Sequence, residues 1–176
     1  MKLLTLLATF FLYSAPVIAK DISDISELSG YKLGEKIYLN SDGIFQCADS
    51  ITCWGTNRDL TPVSYNVQLN FNGNREIYRI YATQAIEKPN SLEQCLSKAS
   101  ELVNIFTREY GVEFTRKEFK STTTIEFIWH DIGLDVFPTK VSVSCYRFLT
   151  PAGMPEVSSS YVLGISIENT EIMNAS

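Results

Sequence analysis

Histidine occurs once in the 176 residues, at position 130. One imidazole cannot build a multi-histidine metal site, and it leaves a single side chain suited to acid–base work near neutral pH. The four cysteines contain no Cys-x2-Cys pair, the common spacing of zinc ligands. Basic clusters are also missing. Fifteen Lys and Arg stand against 20 Asp and Glu, a net charge of −5. Such a chain has little electrostatic hold on a phosphate backbone or on anionic lipid. Glycines 30 and 34 are too sparse to cradle a phosphate. Asp131-Ile132-Gly133-Leu134-Asp135 lacks the oxygen ligands of a calcium loop. Beyond the first segment, no apolar run is long enough to span a bilayer. Metal, cofactor and nucleic-acid partner are therefore not expected.

What is present begins with residues 1–19. Met1-Lys2 opens with a positive charge, Leu3 to Val17 carries none, and Val17-Ile18-Ala19 ends in small or modest residues. This is the pattern of a secretory signal peptide, so the expected location is secreted or periplasmic. Its removal leaves residues 20–176 as one domain of about 157 residues, long enough for a real core. An even number of cysteines suits an oxidising compartment.

Tyr65, Val67, Leu69 and Phe71 alternate with Asn66, Gln68 and Asn70, a half-buried strand pattern. Asn72-Gly73 then suggests a type I′ turn into a second strand over Glu76–Thr83. Leu92, Cys95, Ala99, Leu102, Val103, Phe106 and Tyr110 recur at helical spacing. Ser91 and Gln94 resemble a capping box, and Gly111 stands where a left-handed cap would end the helix. Further strands are read over Thr122–Trp129, around Val141–Cys145 and over Tyr161–Ile167. The expected fold is α+β: an antiparallel sheet of about five strands with one long helix packed on it, stapled by disulfides.

Cys95 on the helix stripe and Cys145 on the apolar strand face would meet across the core. Cys47 and Cys53 are close enough to close a small loop. The expected bridges are Cys47–Cys53 and Cys95–Cys145, which leave no thiol as nucleophile or ligand.

Chemistry-bearing groups are few. His130 in Trp129-His130-Asp131 is expected at a strand end. Glu126, Asp131 and Asp135 are the nearest approach to a carboxylate pair. Gly164-Ile165-Ser166-Ile167-Glu168 lacks the last glycine of a nucleophile elbow and lies in a strand-like run. Surface recognition is the stronger reading. Trp54, Arg58 and Asp59 lie in a segment read as a loop stiffened by the Cys47–Cys53 bridge, and Trp and Arg are enriched among binding hot spots. The competing role for Trp54 is a core residue folded beside the disulfide. Tyr31, Tyr38 and Tyr78 are further aromatic contact candidates. The sequence thus points to a small exported protein-binding module of inhibitor or immunity type, its partner another protein. The alternatives are an exported hydrolase using His130 or a carboxylate pair, and a small-molecule carrier with an apolar cavity.

Overall fold

The computed structural model describes residues 25–38, 44–56, 66–86, 91–117, 120–121, 125–136, 138–149 and 160–175. Residues 1–19, read as a signal peptide, Tyr65, Pro89-Asn90, residues 150–155, read as a loop, and the candidates Arg58 and Asp59 lie outside the described residues.

The chain opens with a small hairpin, β1 (Glu27–Leu28) and β2 (Tyr31–Lys32). Ser29 and Gly30 between them have φ of 55° and 76°, the left-handed pair a two-residue hairpin turn requires. Nine strands then build one antiparallel sheet. They are β3 (Ile44–Cys47), β4 (Thr52–Thr56), β5 (Asn66–Phe71), β6 (Ile77–Ile86), β7 (Thr115–Lys117), β8 (Lys120–Ser121), β9 (Ile125–Val136), β10 (Thr139–Phe148) and β11 (Tyr161–Asn169). Helix α1 (Ser91–Tyr110) follows β6, and the short α2 (Thr170–Asn174) follows β11. The sheet order is β3-β4-β5-β6-β11-β10-β9-β7, with β8 also paired to β9.

The last strand in sequence is therefore central, held between β6 and β10. That position explains why Val162 to Ile167 are all buried. Helix α1 packs on β6, β10 and β11. Cys95, Ala99, Ala82, Val143, Cys145, Leu163 and Ile165 form the core beneath it. A second core joins Tyr31, Leu33 and Ile37 of the N-terminal segment to Leu69, Ile77, Ile80, Val141 and Ile167. The two bridges are Cys47–Cys53 and Cys95–Cys145, and no described cysteine is free. They are consistent with an oxidising compartment. No helix among the described residues is long and apolar enough to cross a membrane.

This corrects the expected architecture. Among the described residues the protein is mostly antiparallel β, with a nine-stranded sheet, a separate two-stranded one and two helices, not five strands under a single helix. The physical reason is width. Nine strands about 4.8 Å apart make an apolar face far wider than one helix of roughly 10 Å diameter. The β1–β2 segment packs on part of what α1 leaves. Helix α1 itself forms over the expected stretch, and Gly111 ends it at φ 65°. The missed strands carry weak patterns: β7 is Thr-Arg-Lys, wholly exposed, and β4 is Thr-Cys-Trp-Gly-Thr.

Two local expectations also change. The β5–β6 turn is not a two-residue Asn-Gly turn, for the left-handed residue is Arg75, with φ 64°. Asn72 organises it instead. Its side-chain oxygen accepts from the backbone N–H of Asn74 and Glu76, while its amide donates to Glu76 Oε2 and the carbonyls of Ile172 and Ala175. One polar residue thus ties the hairpin to the C-terminal helix. His130 lies within β9, which continues to Val136, and not at a strand end.

Candidate functional site

Alternation along each strand gives the sheet two unlike faces. Cys53, Leu69, Ile80, Ile167 and Val141 run side by side across neighbouring strands on the α1 side. On the opposite face the corresponding row is Gln46, Trp54, Gln68, Tyr81, Ser166 and Ser142. The next row is Asn66, Thr83, Gly164, Ser144 and His130. Amides, hydroxyls and aromatic rings dominate this open face.

Trp54 therefore stands in β4, not in a loop. Cys53 beside it is buried in the core, at 1% exposure. The alternation turns Trp54 to the other side, where it is half-buried. It does not pack beside the disulfide as a core residue. The Cys47–Cys53 bridge joins directly opposed residues of β3 and β4, so it stiffens the strand that carries the indole.

A cleft of about 570 Å³ opens on this face. Its floor is made of small side chains on central strands: Thr83 and Ala85 of β6 and Val162 of β11. Trp54 and Gln46 rise on one side, Tyr146 and Phe148 of β10 on the other, and Asn66 lies between. Small residues in the middle and large ones at the margins are what make the depression. Phe148 is 57% exposed. Its ring meets Tyr146 edge-on at 5.6 Å, and Tyr146 contacts Phe127 at 5.4 Å. None of the described side chains that line the cleft is charged.

Beside the cleft lies a buried hydroxyl cluster. Tyr81 hydrogen-bonds Tyr146 and Ser144, and the Ser142 and Ser166 hydroxyls are 2.7 Å apart. Gly164 makes room for it, because a Cβ there would lie 2.6 Å from Tyr81 Oη and 2.8 Å from Ser144 Oγ. Burial pushes both phenols above their ordinary range. They stay protonated donors and are unsuited to act as bases. The Arg79 guanidinium lies 5.6 Å from the Tyr81 ring centroid, and its Nε is 3.8 Å from Glu168.

The catalytic candidates are not brought together. His130 stacks on Phe127 at 5.4 Å and opposes Ser144. Asp131, its neighbour in sequence, faces the other way, opposite Val143. Asp131 is buried with Oδ1 unsatisfied, and desolvation raises its pKa, opposed by the Arg116 charge. The Glu126 carboxylate is held by Arg147 Nε. Five positions along one strand separate Glu126 from Asp131 by roughly 15 Å, beyond the spacing at which two carboxylates share a glycosidic bond. Ser166, the near-elbow serine, is buried inside β11. Among the described residues no group of three His, Cys, Asp or Glu could hold a metal. Tyr31 is fully buried and unavailable for contact, whereas Tyr38 is 72% exposed.

Sequence reasoning missed Gln46, Asn66, Thr83, Tyr146 and Phe148. The signal for the last two was available: Tyr146 and Phe148 continue the alternation of Ser142 and Ser144, opposite Val141, Val143 and Cys145. Compared with known proteins, the chain matches no family model, no curated protein and no solved structure.

Proposed function

We propose that this is an exported binding protein, of inhibitor or immunity type, which captures another protein through the open face of its sheet. The observation that carries this reading is the position of Trp54. It shares a cleft with Tyr146 and Phe148, away from both hydrophobic cores. A large aromatic side chain that the core does not use is the kind of residue that anchors an interface. The bridged β3–β4 hairpin beneath it limits the entropy lost on binding. Export agrees with the pair of disulfides and with the pattern of residues 1–19. The separation of His130, Asp131 and Glu126 argues against the hydrolase, and an open cleft is a poor fit to a carrier that must enclose its cargo.

The test is capture by the oxidised mature protein, with Trp54→Ala and Phe148→Ala run in parallel. The wild type should retain a defined protein partner, and each variant should bind it at least about tenfold more weakly. Each should melt close to the wild type. Capture unchanged by both substitutions would move the interface elsewhere and sink this reading.

A further inference from the structure

The chemistry around the cleft says what kind of group it takes. We infer that the cleft reads a neutral oligosaccharide, carried on the captured partner or presented as free polysaccharide. The inference rests on the proposal that this face is the binding surface.

Four observations converge. First, the described side chains that line it carry no charge, so an anionic or cationic ligand would be desolvated against them with no counter-charge. Second, the polar groups present are Gln46, Asn66 and Thr83. Amides and hydroxyls both donate and accept, which matches the dual character of sugar hydroxyls. Thr83 Oγ1 already donates to the Asn66 carbonyl at 3.3 Å, leaving its lone pairs free to accept. Third, the aromatic rings of Trp54 and Phe148 line the cleft from β4 and β10, and an aromatic ring suits the C–H face of a sugar. The margins stand four strand spacings apart, β4 to β10, about 19 Å measured across the strands. That span suits several linked rings better than one.

The fourth observation separates sugar from peptide. β5, β6 and β11 beneath the cleft are each paired on both sides. The backbones of Asn66, Thr83 and Val162 are paired on both sides, so an extended peptide finds few main-chain partners in the cleft; among the described lining residues of β6, Ala85, beyond the last β5–β6 pair, lacks a β5 neighbour, and strand addition needs a longer free edge. A purely apolar ligand would bury the Gln46 and Asn66 amides without partners, which is costly. A neutral, hydroxyl-rich ligand read by side chains alone meets both conditions.

The experiment titrates the oxidised mature protein with maltoheptaose, chitohexaose, laminarihexaose and mannohexaose, and with heparin as an anionic control. Trp54→Ala, Trp54→Phe and Gln46→Ala accompany the wild type. Expected is saturable binding of at least one neutral oligosaccharide and none of heparin. Affinity should fall about tenfold or more in Trp54→Ala, a loss of roughly 1.4 kcal/mol, and be largely restored in Trp54→Phe. Gln46→Ala should weaken binding without changing the melting temperature. In a second arm, the captured protein partner is stripped of glycans enzymatically. Capture lost on stripping assigns the sugar to the partner. Oligosaccharide binding with no glycan-dependent capture assigns it to free polysaccharide. Failure of all four oligosaccharides, with a deglycosylated partner still held through Trp54, overturns the sugar inference and leaves the protein-binding proposal intact. Capture indifferent to Trp54, with no sugar bound, removes both.

Discussion

On β10, Val141, Val143 and Cys145 face α1, while Ser142, Ser144 and Tyr146 alternate with them and face the other way. β5 repeats the contrast, with Val67 and Leu69 fully buried beside Asn66 and Gln68 on the open side. The same backbone thus carries two chemistries under different constraints. The α1 side must exclude water, so its residues are set by volume and hydrophobicity. The open side holds the buried hydroxyl cluster around Tyr81, Ser144 and Tyr146, but Trp54, Gln46 and Phe148 stand outside both hydrophobic cores, which leaves them available for recognition.

A graded series of substitutions tests the division between the two faces. The largest effect is expected from Cys95→Ala with Cys145→Ala, which unties α1 from β10. The bridge spans 50 residues, so its loss should cost about 4 kcal/mol on the chain-entropy estimate, read by urea unfolding. The six-residue Cys47–Cys53 link should cost about 2 kcal/mol. Neighbours on β5 give the direct contrast, the larger of their effects falling between those of the two bridges. Leu69→Ala should lose about 3 kcal/mol, while Gln68→Ala should stay within about 0.5 kcal/mol. Equal losses would erase the division of labour between the faces.

Gly164→Ala sharpens the contrast from the other direction. Its new methyl would meet the Tyr81 and Ser144 hydroxyls, so about 1–3 kcal/mol of overpacking strain is expected. This part of the open face is structural. A neutral result would mean the hydroxyl cluster yields easily.

The smallest effect concerns Asp131, the carboxylate on the apolar side. Burial raises its pKa in the folded state. The protonated form is therefore favoured on folding. Its contribution is fully present below the unfolded value of about 4 and is lost as pH rises through the folded value. Asp131→Asn should melt higher than wild type at neutral pH, with the gap closing on acidification. A pH-independent gap would show that this carboxyl does not carry the linkage.

Much of this frame was legible in the residues. The α1 stripe, the alternation of β5 and the Cys95–Cys145 pairing all follow from periodicity, which is local. β3 and β4 were not read as strands because Cys53 and Gly55 make a faint apolar face beside Trp54. β9 was cut short because Asp131 and Gly133 interrupt its apolar side. The cleft was illegible for another reason. Its floor and margins come from six strands spread from position 46 to position 162, and no local pattern connects them.

Sequence alone determined helix α1 and its glycine stop, the alternating strands and the cysteines placed to face each other. Side-chain period and turn chemistry act within a few residues. Tertiary structure decided that the sheet has nine strands, that the last strand lies at its centre, and that Trp54 shares a cleft with Tyr146 and Phe148. Strand pairing joins segments far apart in the chain, and the partner each strand takes is chosen by the burial of whole faces, not by residues near it in sequence.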